Sequence, residues 1–60
     1  MSDWRYVLNP DTHAYAAGFD RHKTYEFKHH RGEAFVAKMT DMHPAFNVWG
    51  LMFREPPNLP

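Results

Sequence analysis

The sequence has no cysteine, a single serine (Ser2) and only three glycines in 60 residues. Without thiols, neither a disulfide nor a thiolate zinc site can staple the chain. A lone serine, with no glycine-rich phosphate loop of the GxGxxG or GxxxxGK kind, leaves no evident nucleophile or nucleotide cradle. No charge is in excess: seven acidic side chains balance seven basic ones, for a net charge of zero with histidine neutral. The long-range attraction that most nucleic-acid binders use is therefore missing. No run approaches the roughly 18 apolar residues of a membrane-spanning helix. Residues 1–6 carry neither a basic run nor an apolar signal core. These absences lead to the expectation of a soluble, cytoplasmic, non-enzymatic protein without a cofactor. A pocket of about 300 Å³ or more would consume much of a domain with a radius of gyration near 10 Å.

What is present is apolar and aromatic. Hydrophobic side chains make up 43% of the chain, and two Trp, three Tyr and five Phe give ten aromatic rings. Sixty residues form one small domain, which buries only about 60% of the surface its unfolded chain exposes. Its own core supplies a few kcal/mol at most. Ten rings exceed what one face of a thin sheet covers, so some are expected at an interface; an aromatic-rich closed barrel would use the same residues.

The hydrophobic pattern predicts a mainly β fold over residues 1–53. It reads as a small antiparallel sheet of four to five short strands, built from two hairpins and a C-terminal strand. Residues 4–8 are aromatic and β-branched, and stop at Asn9, Pro10 and Asp11. That stop reads as a turn returning over residues 14–19 in a hairpin, or as a short helix capped by Asn9 and ended by Gly18. From Thr24 to His29, polar and aromatic residues alternate with the period of a half-buried strand. Gly32 offers the positive φ of a tight reversal, after which residues 33–39 return as a strand or begin a helix. Residues 46–53 form the most apolar run and suit a strand buried on both faces, with Gly50 marking a bulge or a close approach. Residues 54–60 hold three prolines and read as an extended tail.

Three constellations carry candidate chemistry. His22, His29, His30 and His43 with Asp41 would make a metal-binding or pH-responsive module only if separate loops gathered them, because adjacent residues on a strand point to opposite faces. Their charge appears only on acidification, so solubility is expected to be lowest around neutral pH. Arg21, Lys23, Lys28 and Arg31 surround Tyr25 and Phe27, and define an alternative nucleic-acid surface. The sequence Arg54-Glu55-Pro56-Pro57-Asn58-Leu59-Pro60 resembles the basic-x-x-Pro-x-x-Pro ligands of SH3 domains, which implies docking of an extended segment on an aromatic groove. Its seven residues equally form a polar stop to the last strand.

The reading that accommodates most of these features is a protein-binding module. It would act as an accessory subunit, an inhibitor that occludes a partner, or a homo-oligomer. Size class alone associates such chains with phage-encoded effectors. Trp49, Leu51 and Phe53 are expected to share one strand face as anchors, flanked by Trp4 and by Arg54, Pro57 and Leu59 of the tail.

Overall fold

Alternation of polar and aromatic residues builds the centre of the molecule. The computed structural model describes residues 3–56, and in it four short antiparallel strands form one sheet in the order β1-β4-β2-β3. The strands are β1 (Arg5–Tyr6), β2 (Thr24–His29), β3 (Phe35–Lys38) and β4 (Leu51–Arg54), with one 3-10 turn at Met39–Asp41. The fold is mainly β, as the pattern predicts. Strands β2 and β3 form the expected hairpin, with Phe27 opposite Phe35. The C-terminal strand β4 inserts between β1 and β2, with Phe53 opposite Phe27 on one side and Arg5 on the other. Arg5, Phe53, Phe27 and Phe35 thus form one row across all four strands.

That row lies on the inner face. Val7, Tyr25, Phe27, Leu51 and Phe53 are buried, and Ala16, Phe19, Met39, Met42 and Phe46 close over them from the connecting loops. Phe19 meets Phe53 edge-on at 4.8 Å and stacks on Tyr25 at 5.0 Å. Aromatic rings pack well in such offset and perpendicular arrangements, each adding about 0.5–1.5 kcal/mol beyond the area it buries.

The first hairpin forms only in part. Asn9 starts a turn, with its Oδ1 accepting from the Asp11 and Thr12 N–H groups at 2.8 and 3.1 Å. The His13 N–H then donates to the Asn9 carbonyl at 2.8 Å. His13 takes a left-handed φ of 62°, which ends the helical turn after one cycle. The return is a single bridge between Leu8 and Tyr15, so residues 14–19 are neither strand nor helix. The helix alternatives at residues 10–17 and 33–43 reduce to this one cycle and to the short 3-10 turn.

The last apolar run is corrected more substantially. Only Leu51–Arg54 is strand, and it is buried on one face: Leu51 and Phe53 point inward, while Met52 and Arg54 point outward. Arg54, at the head of the expected tail, is thus the last strand residue. Gly50 is neither a bulge nor a close approach. It takes φ 73° in a turn closed by the Leu51 N–H to the Val48 carbonyl at 3.2 Å, and no atom lies within 4 Å of where a Cβ would stand. Gly32, expected to need a positive φ, does not adopt one, and a Cβ there would meet His29 at an ordinary 3.6 Å. Gly50→Ala should therefore cost about 1–2 kcal/mol through left-handed strain alone, and Gly32→Ala should stay within about 0.5 kcal/mol of wild type. Urea unfolding of the two variants side by side checks this; equal destabilisation would contradict the backbone assignment.

Candidate interaction surface

Loops close over one face of the sheet, and the opposite face is half-buried to exposed among the described residues. Pairing partners share a face, so the register places Tyr6, Met52 and Lys28 in one outer row, and Arg54, Glu26 and Val36 in the next. Among the described residues no other strand or helix packs on this side. Tyr6 is 45% exposed and Val36 57% exposed.

A charged network crosses the middle of this face. The Arg54 Nε donates to Glu26 Oε1 at 2.7 Å and its Nη1 to Asp3 Oδ1 at 3.1 Å. The Glu26 hydrogen bond, followed by that of Asp3, holds the Arg54 guanidinium above its ordinary pKa, so it stays charged. Glu26 keeps only 12% of its side chain exposed, so this pair is better shielded from water than a usual surface ion pair. Trp4 lies against the network, with the Arg54 guanidinium 4.4 Å and the Lys28 ammonium 5.6 Å from its ring centroid. These are cation–π distances. The result is a rigid aromatic and cationic plate, with Tyr6, Met52 and Val36 beside it.

A second exposed ring stands at the turn into β4. Trp49 is 53% exposed, its backbone N–H donates to Asn47 Oδ1 at 3.0 Å, and its ring meets His13 edge-on at 5.0 Å. The supporting loop is anchored in turn. His29 Nε2 is 2.7 Å from the Asn47 carbonyl, and its ring packs on Phe46 at 5.3 Å. A carbonyl only accepts, so His29 must carry its proton on Nε2.

The anchors expected from sequence therefore separate. Leu51 and Phe53 are in the core and present nothing outward, whereas Trp49 is exposed and stands before the strand rather than on it. Trp4 and Arg54 lie together on the outer face, opposite to Leu51 and Phe53. Pro57 and Leu59 fall outside the described residues. The arginine that an SH3 ligand would offer is already held by Glu26 and Asp3. Sequence reasoning missed Tyr6, Val36 and Met52; strict alternation applied to β4 would have found Met52.

The alternative sites come together less well. Lys23 pairs with Glu55 at 2.8 Å, a hydrogen bond that raises its pKa, and lies 5.3 Å from the Tyr25 ring centroid. Lys28 lies over Trp4. Arg21 and Arg31 flank opposite ends of β2, which its six residues separate by about 20 Å. Among the described residues no three histidine or carboxylate side chains come together as metal ligands, so the site from His22, His29 or His30, Asp41 and His43 is not assembled. His43 instead accepts the Ala45 N–H on Nδ1 at 3.0 Å within its own turn. No helix among the described residues is long and apolar enough to cross a membrane.

Fold and surface together define a small one-sheet antiparallel β protein with an aromatic outer face. Comparison with protein-family models, curated proteins and solved structures finds no match.

Proposed function

We propose that this protein is a small non-enzymatic protein-binding module, acting in the cytoplasm as an accessory subunit or as an inhibitor that occludes a partner. The observation that carries this reading is the outer face, on which no other strand or helix packs among the described residues and where exposed Tyr6 and Val36 and half-buried Trp4 and Met52 lie around the Arg54–Glu26 pair. Trp, Tyr, Met and Arg are enriched in interface cores, and rings held in place lose little entropy on binding. Lys28 and Lys38 add positive charge on this face, which favours a partner with an acidic rim. Trp49, fixed on its turn, supplies a second anchor.

The nucleic-acid reading has less support, since two of its four cations are engaged within the chain and the other two lie at opposite ends of β2. A second copy of this chain remains an alternative occupant of the outer face.

The test is co-purification from the native host using wild type and a Tyr6→Ser/Val36→Lys double variant, with light scattering on each. Both substitutions sit at exposed positions, so circular dichroism should be unchanged. Wild type should retain a partner or self-associate, and the variant should do neither. A wild-type protein that stays monomeric, ignores hydrophobic dyes and retains nothing would overturn the proposal.

A further inference from the structure

A groove of about 220 Å³ opens between the segment before β2 and the 3-10 turn after β3, lined by Tyr15, Arg21, Met39 and Thr40. None of these residues belongs to the outer face proposed above. The Thr40 N–H donates to the Arg21 carbonyl at 3.3 Å, tying the two walls together.

Two features of the groove point to a ligand. Tyr15 is the outermost of three stacked rings: it lies 5.7 Å from Phe19 with planes 5° apart, and Phe19 lies 5.0 Å from Tyr25 with planes 14° apart. Phe19 stacks on one side of the Tyr15 ring and does not line the groove. Tyr15 is 47% exposed, and a further ring laid against its other side would continue the stack at ordinary offset geometry. The second feature is Arg21. Among the described residues it has no ion-pair partner. The neighbouring Asp20 uses Oδ1 to accept the His22 N–H at 2.9 Å, and Asp41 on the adjacent turn is exposed. A guanidinium presents a planar fork of donors that matches a carboxylate, and Thr40, which also lines the groove, carries a hydroxyl able to donate as well.

We infer that this groove binds the C-terminal aromatic residue of a polypeptide, its ring stacked on Tyr15 and its terminal carboxylate held by Arg21 and Thr40. Volume sets the size of the occupant. Sites for drug-sized ligands run from about 300 to 1,000 Å³, so a groove of this size takes one aromatic residue rather than a nucleotide. Met39 supplies an adaptable apolar floor.

The experiment titrates the full chain by amide NMR with N-acetyl-phenylalanine, with N-acetyl-phenylalaninamide, and with an N-blocked tripeptide ending in phenylalanine. The free acid should bind with a Kd of about 1 mM or tighter and shift the amides of Tyr15, Arg21 and Thr40. The amide, which lacks the anionic end, should bind at least about tenfold more weakly, and Arg21→Gln should lose the same factor with the rest of the spectrum unchanged. The blocked tripeptide should bind at least as tightly as the single residue. Equal binding of acid and amide, full affinity in Arg21→Gln, exclusion of the tripeptide, or shifts centred on Trp49 would each overturn the inference. Arg21 is exposed, so a folding defect does not confuse the result. Failure here also leaves the outer-face proposal untouched, because the double variant reads a different surface.

Discussion

Phe27→Ala is expected to leave most of the protein unfolded at 25 °C. Phe27 is fully buried on the central strand β2, between Phe35 on β3 and Phe53 on β4, with Tyr25 and Phe19 against its edges. Truncating a buried phenylalanine costs about 3–5 kcal/mol, through lost transfer energy and the cavity left behind. Domains of this size seldom have more than about 3–5 kcal/mol in total. The substitution therefore removes nearly all the stability rather than a fraction of it. Near-UV circular dichroism and urea titration measure it, with Val36→Ala as control; that exposed change should stay within about 0.5 kcal/mol. A cooperative Phe27→Ala transition within about 1 kcal/mol of wild type would mean that the row of rings across the sheet is not the core.

Trp49→Ala should have the opposite profile, with folding kept and association weakened. About half of Trp49 is exposed, and among the described residues its ring partner is His13, so the stability loss is expected to stay below about 1.5 kcal/mol. As an interface anchor its removal should weaken association by about 2 kcal/mol or more, close to a 30-fold rise in Kd. Calorimetry or surface binding against the co-purified partner gives the affinity, and thermal unfolding the stability. If unfolding shifts sharply while affinity holds, Trp49 is a structural residue and the interface lies on Trp4, Tyr6 and Val36 alone. Leu51→Ala separates the two cases: Leu51 is buried, so any loss of binding there should be accompanied by loss of folding.

These contrasting expectations follow from where the sheet puts neighbouring residues. In β4 a shift of one position moves a side chain from the centre of the core to the open face. Phe53 contacts Phe19 and Tyr25, while Arg54, the next residue, contacts Glu26, Asp3 and Trp4.

The amino-acid order alone determined the class of the fold and its best-defined hairpin. The period of two over Thr24–His29 by itself assigns Tyr25 and Phe27 to one side, because successive side chains on a strand must alternate. The absence of cysteine likewise excluded an internal disulfide, and no run of residues is long and apolar enough for a membrane-spanning helix. Tertiary structure decided the rest. The mostly apolar run of residues 46–53 has no period to read, and only pairing of β4 between β1 and β2 makes Leu51 and Phe53 core while Gly50 turns Trp49 out into solvent. Asn9 suits both a turn, the favoured reading, and a helix cap, and the outcome fell to the left-handed His13 and the bonds of Val7 with Leu51 and Ala16. Local preferences amount to about 1 kcal/mol or less per residue, and burial of a single ring in the shared core outweighs them.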